Sequence, residues 1–161
     1  MVNGSFGEGF APRRNQSNIS LYLPDICRTL TLDYAGEVTN QDVSSYRFAG
    51  TDRLFANATD NPDNWCFCSG IPSGVANFST CRFDMPIFVS FPHYYLADPY
   101  YADQVQGLNP QKELHEFYID LEPVKLFSIY IELLNYNDVT DLFFYAFRNW
   151  PRQHQLVLVS N

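Results

Sequence analysis

Cysteine is the residue type in this chain with the most definite chemistry, because a thiolate can bind a metal, attack a substrate or form a disulfide. The four cysteines are Cys27, Cys66, Cys68 and Cys81. The C-x-C at 66–68 has no second pair of Cys or His at the spacing of zinc ligands, and the redox motif C-x-x-C does not occur. Disulfide chemistry is therefore favoured, and four cysteines allow three pairings.

Histidine and serine residues offer little support for catalysis. His93 and His115 lie in or beside predicted strands in apolar surroundings, where a packed or hydrogen-bonded side chain is the favoured role. Ser79 and Ser90 do not lie in the G-x-S-x-G turn that exposes a hydrolase nucleophile. We therefore predict that the chain is not an enzyme and holds no cofactor.

Three carboxylates fall on one face of a predicted strand, since Glu116, Asp120 and Glu122 are separated by even numbers of residues. Carboxylates in such an arrangement could bind a hard metal ion. No neutral ligand is placed to join them, so we interpret this face as solvated and predict no metal site.

Glycosylation triplets are concentrated in one half of the chain. Five N-x-S/T triplets lie in the first 80 residues and none in the last 80. Glycan acceptors of this kind indicate an extracellular glycoprotein, in which disulfides are also expected. The predicted sites are Asn3, Asn15, Asn18, Asn57 and Asn77.

Composition narrows the class of protein further. The formal net charge of −8 supplies no basic surface for a phosphate backbone, so we predict no nucleic-acid partner. Aromatic residues make up 17% of the chain and charged residues also 17%, below the roughly 25% of charged residues in average proteins. We find neither a signal-peptide core nor a transmembrane helix in the sequence, the latter because no apolar run approaches about 20 residues.

The elements that position these residues are mostly strands. Alternating apolar and polar residues over 29–38, followed by 46–48, predict a hairpin, and similar patterns predict strands over 86–97 and 114–122. Gly, Pro, Asn and Asp residues throughout 49–74 predict a long loop.

One short helix is predicted between these strands. Asp98 is placed as its N-cap, Pro99 as its first residue and Gly107 at its end. The fold class is therefore mainly β (α+β), with one or more short helices.

Seven segments occur in an order that closely resembles the class B scavenger receptor family, which includes platelet glycoprotein IV, the lysosomal integral membrane protein and insect croquemort-type receptors. The segment SFPHYYLADPYY is most similar to the arthropod branch. The segments are PDICR (24–28), YRFAGT (46–51), NPDNWCFC (61–68), GVANFSTCRF (74–83), MPIFVSFPHYYLADPYY (85–101), GLNP (107–110) and FYIDLEP (117–123).

The resemblance implies a segment of a glycosylated receptor ectodomain, built round an antiparallel β-barrel that this chain contains only in part. It also implies a plasma-membrane location for the parent receptor, with the membrane helices outside this chain. Lipids, fatty acids or lipoproteins are the implied partners, bound through the full receptor. The implied functions are lipid binding and transport and recognition of apoptotic cells.

Two other functions stay open within the same resemblance. The chain could act as a secreted or soluble lipid-binding decoy, or belong to a pheromone or lipid accessory membrane protein of sensory neurons.

Cysteine pairing is also implied by the resemblance. In the family the cysteine of the DIC motif pairs with that of the STC motif, which here are Cys27 and Cys81. The usual partners of Cys66 and Cys68 are missing from this chain, so we expect these two residues to remain thiols.

Aromatic residues in 86–101 have two interpretations. Phe88, Phe91, Tyr94 and Tyr95, together with Tyr100 and Tyr101, could line a passage for lipid. Alternatively they form ordinary core, because large rings dominate the energetics of burial.

The resemblance covers 1–123, and the tail 124–161 does not align with the family. We interpret the tail as intron read-through or an alternative C-terminus. Alternation over 126–133 predicts a strand that replaces the next barrel strand, and 155–159 reads as a further short strand.

Overall fold

A computed structural model of the chain describes residues 4–5, 10, 16–40, 42–123, 128–130, 145–146 and 157–158. The chain divides into two compact units. The first, here called the sheet unit, comprises Met1–Thr51 and Phe117–Leu133. The second, called the loop unit, comprises Asp52–Glu116 and Leu134–Asn161.

The described residues are mainly in strands and short helical turns. Two short α-helices, α1 (Pro99–Ala102) and α2 (Lys112–His115), accompany 3-10 turns at Pro24–Ile26, Asp52–Leu54, Pro62–Asn64, Ser79–Arg82 and Pro92–Tyr94. The strands are β1 (Asn18–Leu23), β2 (Arg28–Asn40), β3 (Val43–Ala49), β4 (Val75–Asn77), β5 (Phe88–Ser90), β6 (Tyr118–Leu121), β7 (Ser128–Tyr130), β8 (Tyr145–Ala146) and β9 (Val157–Leu158). The predicted mainly β class is confirmed.

The sheet unit holds an antiparallel sheet in the order β1-β2-β3-β6-β7. Its first four strands curl into a half-barrel. The predicted hairpin is confirmed, because β2 and the next strand along the chain, β3, pair antiparallel from Asp33↔Ala49 to Asn40↔Val43. The sequence did not predict β1, which pairs with β2 from Asn18↔Asp33 to Leu23↔Arg28.

The core of the sheet unit lies on one face of this sheet. Leu32 pairs with Ile19, and Phe48 pairs with Ile119. All four side chains are fully buried. Their burial provides the hydrophobic stabilisation of the sheet, at about 1.5–3 kcal/mol for each large side chain.

The loop unit carries the segment 52–116, with only the short ladder β4–β5 to organise it. Gly74 lies where two loops approach each other closely. Its φ is +103°, and a Cβ at this position would lie 2.1 Å from the Cα of Ala97. Only glycine fits this position without displacing the neighbouring backbone.

Two predicted strands are shorter than the sequence pattern indicated. Within 86–97 only Phe88–Ser90 is a strand, because Pro92 starts a 3-10 turn and three later residues adopt left-handed conformations. Within 114–122 the strand begins at Tyr118, since Lys112–His115 form a helical turn.

Helix α1 is capped as predicted but ends earlier than Gly107. The side chain of Asp98 accepts a hydrogen bond from the Tyr100 amide at 2.8 Å, and Pro99 is the first helical residue. The helix ends at Ala102.

Replacing Asp98 with alanine should lower the free energy of unfolding by about 1 kcal/mol, because the first turn loses its side-chain acceptor. Urea denaturation followed by fluorescence measures the change. The variant Asp98→Asn retains an acceptor and serves as the control. Equal destabilisation by both variants would contradict a capping role.

Strands β7 and β9 of the tail lie where the sequence predicted strands, whereas β8 was not predicted. Strand β7 pairs with β6, within the predicted segment 126–133, whose other residues lie outside the described ones. Strand β9 lies within 155–159 and pairs with β8.

Candidate functional site

A disulfide joins Cys27 to Cys81. Cys27 lies at the end of the 3-10 turn Pro24–Ile26, where its φ is +52°, and its side chain is exposed. Cys81 lies within the 3-10 turn Ser79–Arg82. The bond is the pairing that the resemblance implied.

Cys66 and Cys68 carry thiols. Cys66 is exposed, whereas Cys68 is fully buried. The Cys68 amide donates to the Asn64 carbonyl at 2.9 Å, and the Cys68 carbonyl accepts from the Ala58 amide at 3.2 Å. The two sulfurs of the C-x-C therefore occupy different environments.

Two of the predicted lining residues, Phe91 and Tyr95, belong to a chain of ring contacts in the loop unit. Phe91 is buried, and its ring centroid lies 5.0 Å from that of Phe55 and 6.3 Å from that of Tyr95. Phe88 is half-buried and packs against a cluster centred on Val75. Edge-to-face contacts of this kind contribute about 0.5–1.5 kcal/mol beyond burial itself.

The fourth predicted lining residue, Tyr94, forms a stack. Its ring lies parallel to that of Tyr101, with centroids 5.4 Å apart, and both rings are buried. The Tyr101 hydroxyl donates to the Pro72 carbonyl at 3.0 Å. Burial of the Tyr101 hydroxyl, with Tyr94 beside it, raises the pKa of Tyr101 well above its ordinary value. Tyr100, by contrast, is exposed.

An unusual backbone turn sets the orientation of the Tyr94 ring and its neighbours. His93, Tyr94 and Leu96 have φ values of 52°, 54° and 58°, which lie in the left-handed region. Non-glycine residues rarely adopt this conformation, and they keep it only where surrounding contacts impose it. Here the Tyr94 stack and hydrogen bonds from Tyr94 and Tyr95 to Phe91 and Pro92 supply those contacts.

The two histidines stack on each other. The rings of His93 and His115 are nearly parallel, with centroids 4.3 Å apart. Each ring accepts a backbone hydrogen bond at Nδ1, His93 from Asn109 at 3.2 Å and His115 from Gln111 at 2.9 Å. An Nδ1 that accepts a hydrogen bond is unprotonated, so the contact with Gln111 favours the neutral ring of His115.

Burial, with His93 as the second cause, lowers the pKa of His115 below its ordinary value. The unfolded chain therefore takes up a proton at His115 first as the pH falls through about 6.5. We expect the stability of the fold to decrease from there until the pH passes the folded-state pKa, and then to level off. Lys112, Glu113 and Glu116 are the charged groups on the same short segment.

Urea unfolding at a series of pH values measures this effect, and NMR titration of the His115 ring gives its midpoint. The variant His115→Asn keeps a side-chain acceptor for the Gln111 amide but does not titrate. We expect it to flatten the stability profile between pH 7.5 and 5. A His115 midpoint at or above 6.5 would contradict the prediction.

A partly buried ion pair joins two strands of the sheet unit. Arg47 on β3 lies directly opposite Asp120 on β6, and its guanidinium donates to both carboxylate oxygens, at 2.8 and 2.7 Å. The Arg47 guanidinium also lies 3.6 Å from the ring centroid of Tyr118. Bidentate pairs stacked on an aromatic ring are among the stronger polar contacts in proteins.

This ion pair overturns the interpretation of the carboxylates as a solvated face. The Asp120 side chain is only 2% exposed. Glu116 lies outside the strand and contacts Lys112 at 3.6 Å. The sequence did not single out Arg47. The available signal was its place between Tyr46 and Phe48 in a predicted strand.

The predicted glycosylation sites that the structure describes differ in their surroundings. Asn18 and Asn77 are exposed on β1 and β4, and Asn57 is half-buried in the long loop. Oδ1 of Asn77 accepts hydrogen bonds from the amide and hydroxyl of Ser79, at 2.9 and 2.6 Å. Asn3 and Asn15 lie outside the described residues.

Two further features of the described residues bear on the site. No group of three His, Cys, Asp or Glu side chains among them could hold a metal ion. In the same part of the chain, no helix has both the length and the apolar character needed to span a membrane.

Comparison with known proteins gives one consistent result. The chain is 43% identical over 126 residues to Protein peste of Drosophila melanogaster, and the match covers 76% of this chain and 23% of that protein. It is 40% identical over 125 residues to scavenger receptor class B member 1 of Sus scrofa, covering 77% and 25%. It is 32% identical over 127 residues to lysosome membrane protein 2 of Homo sapiens, covering 77% and 26%.

The chain thus spans about a quarter of the length of these relatives. The relatives include a scavenger receptor and a lysosomal membrane protein by name, so membrane proteins are found in the family. The resemblance inferred from the seven segments is confirmed. The match to the family's sequence pattern extends past Pro123 to residue 130 and so covers most of the sequence, and the chain belongs to the CD36 family.

Proposed function

We propose that this chain is part of the ectodomain of a plasma-membrane receptor that binds lipids, fatty acids or lipoproteins and recognises apoptotic cells. The observation that carries the proposal is the 40% identity to scavenger receptor class B member 1 over 125 residues. The half-barrel and its disulfide are consistent with an extracellular segment, since disulfides persist in oxidising compartments.

Phe88 and Tyr95 are the residues that we propose to contact lipid. Both rings are half-buried, so each presents part of its surface outside the ring contacts described above. Phe91 and Tyr94 are buried beneath them. Phe91 contacts the Tyr95 ring, and Phe88 packs against the cluster that contains Tyr94. Rings that are supported in this way can bind an acyl chain at little cost in conformational entropy.

The proposed role is binding rather than catalysis. The hydroxyls of Ser79 and Ser90 donate to Asn77 Oδ1 and to the Phe91 carbonyl, and neither bond involves a histidine. Nδ1 of His93 and Nδ1 of His115 accept backbone hydrogen bonds. These contacts support structural roles for the four side chains.

Equilibrium binding of a fluorescent long-chain fatty acid to the purified chain tests the proposal. We expect saturable binding that unlabelled fatty acid displaces. The variant Phe88→Ser should weaken it roughly tenfold, because a contacting ring contributes about 1.5–3 kcal/mol when buried.

The matched control is Phe83→Ser, which removes a ring that is 96% exposed. We expect the affinity of this variant to change less than about twofold. Non-saturable binding, or equal losses in the two variants, would count against lipid binding at Phe88.

A further inference from the structure

A cavity of about 430 Å³ lies in the loop unit between two short segments, 57–59 and 69–72. Its volume falls within the roughly 300–1,000 Å³ of typical small-molecule sites. The first wall is a complete glycosylation triplet, because Asn57 and Thr59 both line the cavity. The triplet is evident in the sequence, whereas nothing in the sequence indicates a cavity beside it.

The conformation of the triplet orients the Asn57 amide. Oδ1 accepts hydrogen bonds from the amides of Thr59 and Asp60, at 2.7 and 3.1 Å, which is an Asx-turn. Both bonds engage the oxygen of the side chain, and Nδ2, the atom that would carry a glycan, donates to no protein atom among the described residues. Asn64, a few residues along, shows the opposite case, since its Nδ2 donates to the carbonyls of Arg53, Leu54 and Ala56.

Hydrogen bonds hold both walls of the cavity in place. The backbone N–H of Asn57 donates to Ser73 Oγ at 3.0 Å, and the Ser73 hydroxyl in turn donates to Asp60 Oδ2 at 2.6 Å. On the other wall, the Pro72 carbonyl accepts from the buried Tyr101 hydroxyl at 3.0 Å. The Ala58 amide donates to the Cys68 carbonyl at 3.2 Å and so links the two walls. These hydrogen bonds fix the shape of the cavity.

The lining of the cavity suits a sugar ring. Its lining is of mixed polarity, with Thr59 and Ser69 contributing hydroxyls and Ile71 and Pro72 contributing apolar faces. A pyranose has the same mixed character, with polar hydroxyls at its rim and an apolar ring face. Ala58 and Gly70 are small, which leaves room for the ring.

We propose that the first N-acetylglucosamine of an N-linked glycan on Asn57 lies in this cavity. The proposal rests on the extracellular function proposed above, because the glycan is added only in the secretory pathway. The transfer forms a bond between Nδ2 and C1 of the sugar and breaks the bond between C1 and a phosphate oxygen of a lipid-pyrophosphate oligosaccharide donor. Nδ2 loses one proton, and the lipid pyrophosphate leaves with the electron pair.

Native deglycosylation tests this placement. The chain is secreted from a eukaryotic cell line, and glycopeptide mass spectrometry measures the occupancy of Asn57 and Asn77. A peptide N-glycosidase is then applied to the folded protein. We expect release at Asn57 to be roughly tenfold slower than at Asn77, because the sugar must leave the cavity before cleavage. After denaturation the two rates should become equal.

Two variants at one position provide the matched comparison. Ala58→Leu fills the cavity while preserving the triplet, and it should raise the rate at Asn57 to that at Asn77. Ala58→Gly preserves both the triplet and the cavity, and it should leave release slow. Equal rates at the two sites in the unsubstituted folded chain, or no response to Ala58→Leu, would overturn the placement of the sugar.

A second measurement holds even if the Leu variant fails to fold. Hydrogen exchange at Gly70 and Ile71 is compared between the glycosylated chain and the same chain after enzymatic release of its glycans. We expect faster exchange after release, and unchanged exchange would overturn the proposal. An unoccupied Asn57 would instead overturn glycosylation at this site, while lipid binding is tested separately.

Discussion

Replacing Cys27 and Cys81 together with serine should lower the free energy of unfolding by about 4 kcal/mol, which is a large share of the 5–15 kcal/mol of a typical domain. The disulfide closes a loop that contains residues 28–80. Without it, the unfolded chain gains the conformational entropy of that loop. Urea denaturation of the purified double variant measures the loss.

The environment of the two cysteines makes this a direct test of loop entropy. Cys27 is exposed and Cys81 is half-buried, so their replacement removes little buried surface. The matched control is Cys66→Ser, which changes an exposed thiol in the same loop and should alter stability by less than about 0.5 kcal/mol. If the double variant lost no more than the control, the bond would have no structural role.

Local sequence patterns correctly predicted those elements that are specified by residues close together in the chain. Alternation predicted the hairpin β2–β3, because its two strands are joined directly. The Asp98-Pro99 pair predicted the start of α1, because capping acts within one turn. Strand β7 followed from alternation in the tail, since it pairs with β6 immediately before it.

Patterns failed where backbone conformation or distant contacts decide the outcome. The segment 86–97 has the composition of a strand, but Pro92 and the left-handed residues after it end the strand at Ser90. The burial of Asp120 depends on its register against Arg47, which is 73 residues away in the sequence. No periodicity within 114–122 contains that information.

The aromatic residues show why the candidate site was only partly predictable. Composition indicated that rings in 86–101 would be buried, and Phe91 and Tyr94 are. Which rings meet depends on the turn at His93 and on partners from other segments, Phe55 and Tyr101. Sequence alone therefore favoured ordinary core for these rings and left the lipid-lining interpretation open.

The second large effect is expected at the ion pair between β3 and β6. The variant Arg47→Met should lower the free energy of unfolding by about 3 kcal/mol, because it removes both guanidinium contacts from a buried carboxylate. It also removes the cation from the face of Tyr118, where it lies 3.6 Å from the ring centroid. Urea unfolding gives the free energy, and hydrogen exchange along β6 shows where protection is lost.

A variant that replaces both partners shows how much of the loss comes from the uncompensated charge of Asp120. The double variant Arg47→Met, Asp120→Leu leaves no buried charge, and replacing both partners by apolar groups is often close to neutral. We therefore expect it to be more stable than Arg47→Met alone. The surface pair Lys112–Glu116, with the Lys112 side chain 66% exposed, is the matched control.

In that control, Lys112→Met should change stability by less than about 0.5 kcal/mol, because exposed ion pairs contribute little in water. The contrast follows from burial, since the Asp120 side chain is 2% exposed and cannot recover its interactions from solvent. If Arg47→Met cost no more than Lys112→Met, the pair would not fix the register of β3 against β6. The half-barrel would then depend on the apolar pairs alone, chiefly Phe48 with Ile119.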